Sequence, residues 1–248
     1  QFAALGHDLV LVARREQSLQ QLAAELRARH RIEVTVIALD LATPTAGAEL
    51  VSRTEAAGIA VDVLVNNAGF GANAPLADTG EDVFDELFRV HLKAPYFLTQ
   101  RLLPLVADGG RVLNVSTGLT RFTLPGYSAY ASMKGGVEVL TRYMAREFGS
   151  RGISVNAIAP GFFHTMQNHK LLYETTREYD QDLDRTTGEV KARLSARGQT
   201  ILAHTPMGRF GVPEDLIGTV VWLLSPASRF VTGIVVPIDG GFSAFSGV

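Results

Sequence analysis

Six short apolar runs, at 9–12, 34–38, 61–65, 111–115, 153–157 and 234–238, constrain this chain more than any other feature. Stretches such as LVLV and VTVIA are apolar or β-branched at nearly every position. A strand of that kind is buried on both faces, as in a parallel sheet covered by helices on each side. Between the runs lie segments of helical period, at 17–29, 46–57, 82–106, 128–148 and 213–224. Strand–helix alternation predicts an α/β fold with a doubly wound parallel sheet. The chain has 248 residues, with no internal repeat and no linker, and suits a single domain of that type.

Composition removes several functions. Lys plus Arg number 23 against 25 Asp plus Glu, so no charge excess points to nucleic acid or to a membrane surface. The chain has no cysteine, which excludes disulfides, thiolate catalysis and zinc–thiolate sites. No apolar run reaches the ~18 residues of a membrane-spanning helix, and no signal-peptide pattern opens the chain. A soluble, cytoplasmic protein is expected.

The chemistry gathers where strands end. In SAYASMK, Tyr130 and Lys134 stand four apart on a predicted helix, hence on one face. A free phenol has a pKa of about 10. A nearby ammonium favours the phenolate, which would make the pair a general acid/base for a carbonyl or alcohol. Thirteen residues earlier, Thr117 in NVSTG offers a hydroxyl just past a predicted strand. Asn67, Ala68 and Gly69 form a polar turn after a second strand, and APGFFHT follows a third. Asp40 closes a fourth. In open α/β sheets, ligands bind at the carboxyl ends of the strands.

Taken together, NNAG, a hydroxyl thirteen residues before YxxxK, PG with a threonine four residues later, and the closing FVTGIVVPIDGG resemble the short-chain dehydrogenase/reductase family over essentially the whole chain. The resemblance implies a single Rossmann-type domain that transfers hydride between a nicotinamide cofactor and a carbonyl or secondary alcohol. It also implies a homotetramer or homodimer, and no metal. It makes Tyr130 the acid/base. Lys134 would lower the pKa of Tyr130 and hold the nicotinamide ribose. Asn67, Ala68 and Gly69 would line the cofactor, and Asp40 and Leu41 would meet the adenine. Pro160, Gly161, Phe163 and Thr165 would hold the nicotinamide side.

Two positions depart from the family pattern. The usual active-site serine falls at Thr117, with Ser116 one position early. The helical asparagine that supports a proton relay falls at His91, which is either an ordinary half-buried histidine or a substitute relay member. Coenzyme choice is legible in LVARRE. The acid that favours NAD is replaced by Ala13, and Arg14 and Arg15 follow. Arginine pairs well with phosphate, so NADP is expected ahead of NAD, unless the two arginines are simply a solvated helix start.

The carboxyl third resembles the fructuronate (mannonate) reductase-type sugar-acid branch, while the first two-thirds resemble generic members. Segment 166–205 is long and lacks a strand pattern. It is either a solvated helix pair or a lid over the substrate. Its basic residues, Lys170, Arg177, Arg185, Lys191, Arg193 and Arg197, could meet a substrate carboxylate. In family members a strand and a TGxxxGxG turn, which seats the pyrophosphate, precede the helix that ends here at FAALG. No such motif occurs in this sequence. The strands at 9–12 and 61–65 are therefore expected to flank an empty place in the sheet. A non-catalytic or impaired member acting as an oligomeric scaffold is the alternative to an active reductase.

Overall fold

The computed structural model describes residues 1–182 and 190–244. Its elements run β1 (Leu9–Ala13), α1 (Glu16–His30), β2 (Val34–Ala38), α2 (Ala46–Ala56), β3 (Val61–Asn66), α3 (Glu81–Phe88), α4 (Ala94–Leu102), β4 (Val106–Val115) and α5 (Ser128–Phe148), then β5 (Ser154–Pro160), α6 (His169–Leu172), α7 (Tyr179–Asp182), α8 (Ala196–Ala203), α9 (Ile217–Leu224) and β6 (Val235–Ile238). All strand pairs are parallel. β5 lies in the middle of its sheet and is buried along nearly its whole length, which is why its sequence shows no alternation.

The strands form two sheets, β1-β2 and β3-β4-β5-β6. Among the described residues, β1 and β3 each keep one edge without a strand partner. Helices hold the two sheets together. Ile37 of β2, Leu50 of α2, and Leu98 and Leu102 of α4 form one apolar cluster, against which Val10 and Val12 of β1 and Leu64 of β3 pack. A second cluster joins Val112 and Val155 to Met144 and Phe148 of α5 and shares Leu64 with the first, so it lies on the same face, while Leu113 and Ile158 meet Leu223 of α9 on the other.

Two expectations need correction. The helical period over 82–106 is not one helix. A π-helical turn, Arg89–Lys93, separates α3 from α4, and a short 3-10 turn, Leu103–Leu105, ends the run. Pro95 lacks the N–H that would bond the carbonyl of His91, so the regular ladder is interrupted there. β4 also begins five residues before the expected Arg111, at Val106. It runs through Asp108, Gly109 and Gly110 by way of a register shift opposite Val61 and Val63. Gly109 takes φ 78°, which lets the strand pass a glycine pair that reads as a turn.

Segment 166–205 is not merely a solvated helix pair. Leu172, Tyr173 and Ile201 are buried in a cluster of their own with Phe210. His169 and Asp182 form a buried pair at 3.0 Å, and the Thr175 hydroxyl donates to Asp182 at 2.7 Å. Arg185 lies outside the described residues.

Candidate active site

β4 ends at Val115 and delivers two hydroxyls in succession. The Ser116 hydroxyl donates to Glu138 Oε1 at 2.7 Å, and Thr120 donates to the same oxygen at 2.6 Å. Ser116 is thereby committed to the structure. Thr117 is instead the hydroxyl whose interaction with the phenol of Tyr130 favours the phenolate, and it also accepts from Leu119 N–H at 3.4 Å. The thirteen-residue spacing therefore picks out the hydroxyl that faces Tyr130. Glu138 was not foreseen, although its place one helical turn beyond Lys134 on α5 is a usable signal.

Lys134 is buried on the same face, and its Nζ donates to the Val115 carbonyl at 2.7 Å. Burial pulls its pKa down to about 8. Nζ lies 5.9 Å from the centroid of the Tyr130 ring, under its face. The ammonium is directed at the Val115 carbonyl and is not among the groups that shift the phenol. Burial dominates at Tyr130 and pushes its pKa up to about 12. The hydrogen bond with Thr117 opposes that shift, and Tyr127 adds to it.

His91 lies on the π-helical turn, with its ring edge-on to Tyr130 at 5.1 Å between centroids. It is fully buried, and Nε2–H donates to the Phe70 carbonyl at 2.8 Å. Nδ1 is buried with no partner among the described residues. Burial, and then the charge of Lys134, pull its pKa from the ordinary 6.5 to about 4. Between those values the unfolded chain takes up a proton that the folded chain does not, so stability is lost as pH falls through this window. The loss attributable to His91 is expected to reach about 3 kcal/mol. His91→Asn should lessen the acid destabilisation. Urea unfolding at about pH 7 and about pH 5 checks this, and equal losses in both proteins would contradict it.

The remaining sequence-derived residues share one edge, because parallel strands present their carboxyl ends together. Asn67, Ala68 and Gly69 are exposed beyond β3. A Cβ on Gly69 would lie 2.7 Å from His91 Cε1, so the turn can approach the histidine only as glycine. Arg14 and Arg15 are exposed beyond β1. Asp40 is exposed beyond β2 but uses Oδ1 to accept from Ala42 N–H at 3.0 Å, and Leu41 packs on the core. Gly161 donates its N–H to Ile238 at 2.9 Å, and a Cβ there would meet Asp239 at 2.6 Å. Phe163 and Thr165 are tied into the base of the 166–205 segment. Phe163 is buried and bridges to Gly211, while the Thr165 hydroxyl accepts from Asn168 N–H at 3.3 Å.

A chain of side-chain amides and hydroxyls behind the site was also unforeseen. Asn66 donates to Thr99 at 3.0 Å and to Asn114 at 2.8 Å, and Asn114 donates to Thr141 at 2.9 Å. It ties β3 and β4 to α4 and α5 directly beneath the NNAG turn. Two asparagines inside otherwise apolar strands were the available signal.

A parallel sheet whose carboxyl edge carries a hydroxyl, a phenol and a buried ammonium in reach of one another defines an oxidoreductase of alcohols and carbonyls. The chain belongs to the short-chain dehydrogenase/reductase family: the family model described as enoyl-(acyl carrier protein) reductase matches residues 1–243. It is 37% identical over 209 residues to the uncharacterised oxidoreductase UxuB of Bacillus subtilis (strain 168), covering 76% of this chain and 69% of that protein. It is 29% identical over 243 residues to gluconate 5-dehydrogenase of Gluconobacter oxydans (strain 621H), covering 97% and 87%. The crystal structure of a gluconate 5-dehydrogenase from Burkholderia cenocepacia J2315, in complex with NADP and tartrate, superposes with a TM-score of 0.81 at 29% identity, over 95% of this chain and 85% of that one. Among the described residues, no helix is long and apolar enough to cross a membrane.

Proposed function

We propose that this chain is an NADP-dependent oxidoreductase of hydroxylated carboxylic acids, of the fructuronate reductase or gluconate dehydrogenase kind. In this reading it is a single domain working in a cytoplasmic homo-oligomer, with 166–205 as its substrate lid. The observation that carries the reading is the Thr117–Tyr130–Lys134 row. The relatives' substrates add to it, since gluconate and tartrate appear in their descriptions.

The residues present fit the ribose–nicotinamide half of the coenzyme. Lys134 spends one of its three donors on Val115 and keeps the others for ribose hydroxyls. Gly161 lets the strand end pack directly against Asp239, where a side chain would clash. Arg14 and Arg15 offer two exposed guanidiniums for a 2′-phosphate. Bound NADPH supplies the hydride. The chain supplies the proton and the orientation. With a pKa near 12, Tyr130 is fully protonated at neutral pH and acts as the acid toward a carbonyl oxygen. The Thr117 hydroxyl donates to that same oxygen.

The test pairs D-fructuronate with NADPH and gluconate with NADP⁺, then repeats both with the phosphate-free coenzymes. Turnover that prefers the phosphorylated coenzyme is expected. Replacing Arg14 and Arg15 together with Ala should weaken NADPH binding about ten- to a hundredfold, the worth of a desolvated charge-assisted pair, and leave NADH unchanged. Equal loss for both coenzymes would overturn the assignment of these arginines. Coenzyme binding with no turnover of any carbonyl would leave the scaffold reading instead.

A further inference from the structure

We propose that Arg197 is the carboxylate anchor of the substrate site, gripping the acid end of a small organic acid whose reacting carbon lies at Tyr130. The inference rests on the oxidoreductase reading above and assigns one residue to its substrate class.

A cavity of about 580 Å³ opens at the start of α5, lined by chain neighbours of Thr117 and Tyr130 rather than by those two side chains. Its wall includes Leu119, two residues past Thr117, and Ala131, next to Tyr130 on α5; Arg197 reaches in from α8. A second cavity of about 410 Å³ also takes Arg197 as a lining residue, so its guanidinium stands where the two meet. The first volume falls in the ~300–1,000 Å³ range that suits a small ligand. Asn73, Thr123 and Ser128 line the same space and can meet ligand hydroxyls.

Charge singles out Arg197 from the basic residues of this region. Lys170 faces Glu178 at 3.1 Å, Arg177 faces Asp182 at 3.7 Å, and Arg193 faces Glu174 at 3.8 Å. Arg209 grips Asp215 with both terminal nitrogens, at 2.6 and 2.8 Å. Among the described residues Arg197 has no such partner, and neither cavity is lined by an Asp or Glu. Much of the wall around it is apolar, including Leu119, Leu124 and Pro125. A guanidinium with no counter-ion beside apolar walls and away from competing acids is suited to a planar, bidentate anion, and a carboxylate matches its fork.

The backbone under Arg197 is fixed. Ser195 caps α8: its hydroxyl accepts from Gly198 N–H at 2.9 Å and donates to the Leu171 carbonyl at 2.7 Å. The long side chain is free while its origin is held, which suits a group that closes on a ligand.

The test uses the full chain with its coenzyme, and compares a sugar acid with its neutral methyl ester in wild type, Arg197→Met and Arg197→Lys. For the acid, Arg197→Met should raise KM about ten- to a hundredfold with kcat within a few-fold of wild type. The ester should respond equally to all three proteins, and Arg197→Lys should recover part of the loss. Calorimetric tartrate binding should disappear in Arg197→Met. Equal losses for acid and ester, or no loss for the acid, overturn the role of Arg197 and leave the oxidoreductase reading intact. A wild type that turns over neutral carbonyls alone and binds no tartrate overturns both the anchor and the sugar-acid class. Inorganic phosphate that binds tightly at Arg197 while no acid is turned over overturns the carboxylate assignment.

Discussion

Tyr130→Phe is expected to lower turnover by about 10²–10⁴-fold, the range that one positioned acid–base group supplies, while the protein melts at or above the wild-type temperature. The two halves of this expectation have separate causes. Turnover falls because the phenolic hydrogen is the proton that the carbonyl oxygen receives, and the buried group holds it at neutral pH. Stability is spared because the hydroxyl interacts with Thr117 alone among the groups that favour its charged form, and a bond of that kind is worth about 1 kcal/mol net. The loss of that bond is offset because a buried polar group goes with it. The ring stays, and with it the contact to His91 and the face over Lys134. Coenzyme affinity should also hold, since the ammonium remains anchored on Val115. Steady-state rates, a coenzyme fluorescence titration and a thermal melt on the same preparation test all three. Turnover above about a tenth of wild type would remove Tyr130 from the acid role.

The reacting row was legible in the sequence because its spacing is set by local geometry. Four residues on a helix return to one face, and a strand end must precede the helix that packs behind it. The electrostatics were not legible. Burial depends on what covers a residue, and the sequence does not show that α5 lays Lys134 against the Val115 carbonyl or half-buries the phenol. Burial, which raises the phenol, is the cause the sequence did not show. Glu138 was invisible for a similar reason: its two hydroxyl partners, Ser116 and Thr120, sit across a turn that only the fold closes. In the same way, the basic residues of 166–205 looked equivalent until acidic partners were placed for Lys170, Arg177 and Arg193.

The fold was legible through β5 and α5, where burial on both faces and a long helical period leave little ambiguity. It was less so at 82–106. There the apolar period persists through a π-helical turn, since the same face stays covered although the ladder is broken at Pro95. It also failed at Asp108–Gly110, where turn chemistry sits inside a strand. Among the described residues β1 pairs with β2 and β3 with β4, each in parallel.

Gly198→Ala is expected to be the most damaging small substitution in segment 166–205. Gly to Ala inside a helix ordinarily stabilises by about 1 kcal/mol, because alanine loses less freedom on folding. At Gly198 the sign reverses. An added Cβ would overlap the carbonyl oxygen of Leu172 and lie 3.0 Å from its carbonyl carbon, and backbone atoms cannot swing aside as a side chain can. α8 would have to lift from α6, opening the cluster of Leu172, Tyr173, Ile201 and Phe210. Strain of that kind typically costs about 1–3 kcal/mol. It would also shift Arg197, the preceding residue, away from the cavity. The melt should therefore move down, and KM for an acid substrate should rise more than kcat falls. Gly218→Ala in α9 is the matched control, because a Cβ there meets nothing within 4 Å. It should melt at or above wild type with unchanged kinetics. If Gly198→Ala melts with the control, α8 does not press on α6 as described, and the fixed origin argued for Arg197 goes with it.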